Sequence, residues 1–172
     1  MGSNPPVFAN AAASTIGSAA PTTTATDHRS TTEERNVATV LAMFDRGWGA
    51  NEGWQDVWRA NVAPNVRTYF HSQPPTDGLD AAIAFNAELF AGFPDLRMTV
   101  ENVTTEEGTV IVRGRLVGTQ EGPFLGAPAS GAAVDVPDVT MFRLENGRIV
   151  ENRYFTDLLA VMTAIGAVEP KG

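Results

Sequence analysis

The segment from Val134 to Gly166 constrains the fold most, because it holds two strand-like stretches, a tight turn and the start of a helix in one run. Asn146-Gly147 separates the two stretches, and these residue types best tolerate the positive φ values that a two-residue hairpin turn requires. The second stretch ends at Asp157, where an amphipathic helical pattern begins. The segment therefore predicts a β-hairpin followed directly by a helix, with a carboxylate at the junction.

Further strands are predicted upstream of this hairpin, because hydrophobic side chains recur at every second position from Leu96 onward. The pattern predicts four consecutive antiparallel strands, at Arg97–Thr104, Thr109–Gly118, Val134–Leu144 and Arg148–Thr156. An earlier strand is predicted over Val66–His71, with Tyr69 and His71 on one face. Repeated glycines between positions 114 and 131 are expected to form bulges that bend the sheet.

Helices are predicted before the strands. Thr31 and Glu34 have the spacing of a capping box, and an apolar stripe from Val37 to Trp48 follows at helical intervals. A second helix is predicted over Trp54–Val62, and a third over Leu79–Phe90 with Asp77 as its N-cap. Helices followed by a curved antiparallel sheet predict an α+β fold in which the sheet wraps around the helices and leaves a cavity.

Composition limits the function classes. The 172 residues carry a formal net charge of −8, which repels a nucleic-acid backbone. The chain has no cysteine and only two histidines, His28 and His71, so cysteine-ligated and histidine-rich metal sites are excluded within one subunit. We therefore expect no metal and no nucleic-acid partner.

Residues 1–30 are rich in Ala, Ser, Thr and Pro, a composition that cannot bury enough apolar surface to offset its ordering entropy. We expect a disordered tail or the remnant of an expression tag there, and one folded domain over residues 31–168. No run is long enough to span a bilayer. A cytoplasmic location is expected, with export of a processed form as the alternative.

Several short motifs, taken in order, resemble the SnoaL-like polyketide cyclases, a family of the nuclear transport factor 2-like superfamily of conical α+β folds. They span about residues 33–166 and are Ala63-Pro64-Asn65-Val66, Phe93-Pro94-Asp95-Leu96-Arg97, Phe124-Leu125-Gly126, Met141-Phe142-Arg143 and Asn146-Gly147-Arg148-Ile149-Val150-Glu151. The resemblance implies a conical barrel, a homodimer, and a cofactor-free enzyme that closes a ring in a hydrophobic polyketide-like substrate by an intramolecular aldol reaction.

The resemblance also implies site residues. Asp157 is expected to be the general acid/base, since a carboxylate desolvated against aromatic walls can accept a proton from carbon. The alternative is that Asp157 is only the N-cap of the following helix. His71 is the second catalytic candidate, as a group that polarises a carbonyl or holds a water. The predicted substrate contacts are Tyr69, Trp48, Trp58, Phe124, Phe142, Gln120 and Phe155.

The chain departs from the family pattern in two places. Gln120 stands where members often carry a histidine, and Asn152-Arg153 replaces a common His-Trp pair. Asp138 is a candidate for a second acid, although an aspartate is expected by default to be exposed to solvent.

Two alternative functions stay open. A cofactor-free isomerase or epoxide hydrolase would be favoured by Arg153 bridging Asp157 and Asp138. A non-catalytic binding module would be favoured by a plugged cavity and an Asp157 tied to backbone amides.

Overall fold

The structure is a computed structural model that describes residues 30–70 and 73–169. The helices within these residues are α1 (Thr31–Arg46), α2 (Trp54–Asn61), α3 (Leu79–Gly92) and α4 (Leu158–Ala164). The strands are β1 (Val62–Phe70), β2 (Thr76–Asp77), β3 (Arg97–Glu106), β4 (Thr109–Thr119), β5 (Ala133–Glu145) and β6 (Arg148–Tyr154). The tail predicted over residues 1–30 lies outside the described residues except for Ser30, and so does His71.

The strands form one open, mixed sheet in the order β2-β1-β6-β5-β4-β3. Strands β3 to β6 pair consecutively and antiparallel, as predicted. Strand β1 runs parallel to β6, a long-range pairing that no local pattern reveals. The predicted α+β class is confirmed, but the sheet is not a closed barrel and is not wholly antiparallel.

The inner face of the sheet is the one that packs against the helices. On β5 every second side chain is buried, and this inward row is Val134, Val136, Asp138, Thr140, Phe142 and Leu144. Phe44 of α1 lies edge-on to Phe142, with ring centroids 5.6 Å apart. The inward row also contains an acid and a hydroxyl, so the core of this strand is not wholly apolar.

Two predicted helix caps are corrected by the structure. The N-cap of α1 is Ser30, whose hydroxyl accepts from the Glu33 amide while the Glu33 carboxylate accepts from the Ser30 amide. The capping box therefore begins one residue earlier than the spacing of Thr31 suggested. At α3 the capping position is Gly78, with φ of 94° and no side-chain cap. Asp77 instead forms an ion pair with Arg67 at 2.7 Å.

The predicted glycine bulges are not in β4. The pairing of β4 with β5 is continuous through Gly114, and the register shift lies on the neighbouring strand β3, between Val100 and Asn102. A Cβ atom at Gly114 would lie 2.2 Å from the carbonyl oxygen of Thr99. Glycine is needed here because the bent strand β3 approaches β4 closely.

Candidate functional site

An apolar inner cavity lies at one end of the core, between the sheet and helices α3 and α4. Its walls are almost wholly hydrophobic, and they include Trp48, Phe70, Phe85, Leu89, Phe124, Tyr154, Thr156 and Val161. The inner cavity has a free volume of about 30 Å³, which is room for about two water molecules. Among the described residues that line this cavity, Thr156 and Tyr154 carry the only side-chain hydroxyl groups.

A second, outer cavity adjoins the inner one. Its volume is about 100 Å³. Four side chains line both cavities, and we call them the partition: Phe70, Phe85, Leu89 and Phe124. Phe70 and Phe85 contact each other with ring centroids 5.1 Å apart. The partition is therefore the wall that the two cavities share.

A buried carboxyl group lies directly behind the inner cavity. Asp138 on β5 is only 1% exposed. Its Oδ2 accepts a hydrogen bond from the Thr140 hydroxyl at 2.8 Å, and its Oδ1 accepts from the hydroxyl of Thr156. Because Thr156 lines the cavity, one hydroxyl group connects the Asp138 carboxyl to the space that a ligand would occupy. The expectation that Asp138 is exposed was wrong.

Tyr154 is the other buried polar group in the cavity wall. Burial, and then the negative charge of Asp138, raises the pKa of the Tyr154 phenol well above its ordinary value of 10.0. Hydrogen bonds from the side chains of Asn152 and Asn86 oppose this rise, the first at 3.0 Å. The phenol therefore stays protonated at neutral pH and can donate a hydrogen bond, but it cannot act as a base.

Asp157 does not lie in the cavity. Its side chain is exposed and accepts a hydrogen bond from the backbone N–H of Ala160 at 2.9 Å. This is the N-cap arrangement for α4, the alternative that the sequence left open. The carboxylate is not enclosed by aromatic side chains, so the environment expected of a carbon base is absent at this position.

The N-cap role of Asp157 gives a testable prediction. Asp157→Ala should lower the free energy of unfolding by about 1 kcal/mol, because the first turn of α4 loses its side-chain acceptor. Asp157→Asn should keep most of that stability, since asparagine caps helices as well. Urea denaturation of both variants measures the effect. A catalytic role would instead make Asp157→Asn inactive with unchanged stability.

The other predicted site residues are scattered. Trp48 and Phe124 line the inner cavity. Tyr69 lies elsewhere, with the Arg153 guanidinium 3.7 Å above its ring, because alternation along β1 places Phe70 and not Tyr69 towards the cavity. Phe155 is 57% exposed and is not among the lining residues. His71 cannot be placed, since it lies outside the described residues.

Three further residues that were predicted to contact the substrate are buried in the core, where they pack or form hydrogen bonds within the protein. Trp58 donates from its indole N–H to the carbonyl of Gly47 at 2.8 Å, and Phe142 packs in the core against Phe44. Gln120 is fully buried, and its side-chain amide binds the loop that precedes β5: it donates to the Pro128 carbonyl and accepts from Ser130. None of the three lines the inner cavity, so they are not part of the candidate site.

The sequence did not predict which two residues supply the buried polar groups at the inner cavity. Asp138 and Tyr154 lie on the inward faces of β5 and β6, and strict alternation would have placed Asp138 in the row that contains Val134, Val136 and Phe142. This alternation indicates that Asp138 faces inward, but Pro137 suggested instead that a strand begins near the open end of the predicted cavity. A proline fits here because Pro137 lies beyond the end of the β5–β6 pairing, on the side where its carbonyl accepts from the Asp157 amide, so no ladder hydrogen bond needs its missing N–H.

The Asp–Arg–Asp arrangement expected of an epoxide hydrolase is not formed. Arg153 pairs with Glu151 at 2.7 Å and stacks on Tyr69, while Asp138 and Asp157 form hydrogen bonds with other groups.

Among residues 30–70 and 73–169, no three histidine or carboxylate side chains are grouped to hold a metal ion. None of the helices α1 to α4 in the described residues has the length and hydrophobicity of a membrane-spanning segment.

The mixed open sheet, the helices on its inner face and the apolar cavity between them define a protein of the nuclear transport factor 2-like class. Comparison with known proteins narrows this class. The model of the SnoaL-like polyketide cyclases matches residues 38–165, and the chain belongs to that family. No curated protein matches the chain significantly.

Solved structures agree with this assignment. A proposed SnoaL-like polyketide cyclase from Jannaschia sp. CCS1 is 59% identical, with a TM-score of 0.78 over 81% of this chain and 97% of that one. IdmH, a proposed polyketide cyclase from Streptomyces antibioticus, is 23% identical, with a TM-score of 0.64 over 76% and 98%. AclR, a proposed hydroxylase from Streptomyces galilaeus, is 19% identical, with a TM-score of 0.67 over 81% and 86%. The last two share the fold with this chain.

Proposed function

We propose that this protein is a cofactor-free cyclase that closes a ring in a hydrophobic, polyketide-like substrate by an intramolecular aldol reaction. The observation that carries the proposal is the carboxyl group of Asp138, which is buried behind the inner cavity and linked to it by the Thr156 hydroxyl. The proposal assigns to Asp138 the acid–base role that the sequence suggested for Asp157.

The first step is proton removal from a carbon next to carbonyl groups. The carbon's proton passes to Oγ1 of Thr156 while the Thr156 hydroxyl proton passes to Asp138, so the hydroxyl acts as a relay within hydrogen-bond reach. The electron pair of the C–H bond forms an enolate. Burial matters because electrostatic interactions with the developing negative charge are stronger away from water.

The second step forms the ring. The enolate carbon attacks a second carbonyl carbon of the same molecule, a C–C bond forms, and the resulting alkoxide takes up the proton held by Asp138 and Thr156. The apolar walls hold the chain folded so that the two carbons meet. The aromatic ring of Tyr154 forms part of these walls, while its hydroxyl group lies behind them, next to the Asn152 side chain.

Substrate entry requires the partition to move. The inner cavity has a volume of only about 30 Å³, whereas an apolar cavity that holds benzene measures about 150 Å³, and the adjoining outer cavity adds about 100 Å³. Rotation of the Phe70 and Phe85 rings would join the two spaces. Such side-chain rotations are ordinary fluctuations of ligand sites.

A non-catalytic binding module is the second candidate. Two observations favour it, namely the small inner cavity and the attachment of Asp157 to a backbone amide. It requires no role for Asp138 beyond its hydrogen bonds to Thr140 and Thr156. The two candidates differ in whether a bound ligand exchanges protons with the protein.

Proton exchange in D₂O tests the proposed function without knowledge of the natural substrate. The purified protein is mixed with a panel of aryl ketones, and the uptake of deuterium next to the carbonyl is followed by NMR. We expect exchange to be faster than in buffer and to saturate with ketone concentration. Ketones that bind without accelerated exchange would support the binding module instead. Mass spectrometry of copurifying small molecules would then identify the ligand class.

Two further expectations from the sequence, the homodimer and the cytoplasmic location, stay predictions. The homodimer is tested by sedimentation of the full chain over a range of concentrations. The cytoplasmic location is tested by fractionation of the source cells.

A further inference from the structure

Three buried polar side chains next to the cavity have atoms without a hydrogen-bond partner. These are Oγ1 of Thr68, Oδ1 of Asn86 and Oδ1 of Asn152. Thr68 is 2% exposed, and the two asparagines are each 1% exposed. A buried polar atom without a partner costs free energy, so such atoms are rare in native proteins and call for an explanation.

The three side chains lie close together. Thr68 of β1 is directly paired with Asn152 of β6, and both face inward. Asn152 donates a hydrogen bond to the phenol of Tyr154 at 3.0 Å, and the side chain of Asn86 on α3 is close enough to the same phenol to lower its pKa. The unpartnered atoms therefore belong to one cluster rather than to separate sites.

This cluster lies behind the wall of the inner cavity: none of its three residues lines the cavity, but their neighbours do. On the two strands, the next inward-facing residue lines the cavity: Phe70 follows Thr68 on β1, and Tyr154 follows Asn152 on β6. On α3, the lining residue Phe85 directly precedes Asn86. The ring of Tyr154 lines the cavity while its oxygen contacts the cluster. The polar cluster therefore begins at the hydroxyl group of Tyr154, directly behind the apolar wall of the cavity.

We propose that Thr68, Asn86 and Asn152 form a polar subsite that binds a hydroxyl group at the leading end of the ligand. Amide oxygens accept hydrogen bonds, and the Thr68 hydroxyl can both donate and accept. An alcohol, phenol or enol matches this set, because it also donates and accepts. A carbonyl group matches it poorly, because it offers the two amide oxygens no donor.

This inference extends the proposed function, since it names a substrate feature for the same cavity. It concerns equilibrium binding and not proton transfer, so it can fail while the cyclase proposal stands, and the reverse also holds. A bound water has the same hydrogen-bonding chemistry as a ligand hydroxyl, and the experiment below separates the two sources.

The test compares phenol with toluene, which differ by a hydroxyl in place of a methyl group. Affinities for the full-length protein are measured by ligand-observed NMR. We expect phenol to bind about 10-fold more tightly, the effect of one or two buried hydrogen bonds. Thr68→Val, which keeps the side-chain shape, should bring the ratio of the two affinities close to one. Thr68→Ser, which keeps the hydroxyl, should restore the preference for phenol.

Thr105→Val is the matched control. Thr105 also has a buried hydroxyl oxygen without a partner, but it lies on β3 at the far edge of the sheet from β1. The control should keep the wild-type preference for phenol. Thr68→Val should also denature at the same or a higher urea concentration than wild type, because it removes an unpaired buried group.

Equal affinities of wild type for phenol and toluene would overturn the proposal, and would indicate that water or no ligand occupies the cluster. A preference for phenol that persists in Thr68→Val, or no detectable binding of phenol, would overturn it as well.

Discussion

Replacing Asp138 with asparagine should lower the turnover number of the proposed cyclase by about 100- to 10,000-fold, the usual contribution of a general acid–base group. Asparagine keeps the shape of the side chain: its Oδ1 can still accept from one of the two hydroxyl groups, of Thr140 and Thr156, and its Nδ2 can donate to the oxygen of the other. It cannot take up the proton that leaves carbon. Proton exchange of an aryl ketone in D₂O measures the loss.

The matched control for this prediction is Asp135→Asn on the same strand. Asp135 faces outward, is exposed and pairs with Arg115, so its loss should leave exchange unchanged. Thr156→Val should reduce exchange almost as much as Asp138→Asn, because it removes the relay and leaves the carboxyl in place. Normal exchange in Asp138→Asn would contradict the assignment of the base and would leave the family membership untouched.

The second large effect is a loss of stability at alkaline pH. The pKa of Tyr154 is raised in the folded protein by burial and by Asp138, whereas a tyrosine in the unfolded chain ionises near pH 10. The contribution of this phenol is therefore complete below pH 10 and is lost as the pH rises towards the folded-state pKa. Above pH 10 the free energy of unfolding should fall by about 1.4 kcal/mol for each pH unit.

The chain makes this measurement simple, because it contains only two tyrosines. Urea denaturation at several pH values around 10 gives the slope for wild type, Tyr154→Phe and Tyr69→Phe. The slope should become shallower in Tyr154→Phe and stay nearly the same in Tyr69→Phe, whose ring lies outside the cavity under Arg153. An equal slope in all three proteins would show that Tyr154 ionises normally.

The local structure was largely predictable because its causes are local. The hairpin follows from Asn146-Gly147, both of which adopt positive φ. The strands follow from two-residue alternation, and the helices from their apolar stripes. The errors in local structure were the bulges expected at glycines of β4, which lie instead on β3, and the helix caps, where a shift of one residue, from Thr31 to Ser30, leaves the pattern nearly as good.

The site was less predictable because it depends on which face of each strand is buried. On β1 the sequence suggested that Tyr69 and His71 share the ligand-facing side, but Phe70 and Thr68 face inward. A one-residue change of parity exchanges every inward and outward side chain. Tyr69 and Phe155 were misplaced in this way, while Trp58 and Phe142 were placed correctly in the interior but not at the cavity.

The sequence by itself determined the α+β class, the order of helices and strands and the family, because periodicity, turn residues and motif order are written along the chain. Only the tertiary structure decided which carboxyl group is buried. Asp157 is held at the surface by the first turn of α4, and Asp138 is enclosed where β5 meets the end of β6. The physical reason is that desolvation is a property of packing between distant segments, which spacing within one segment does not encode.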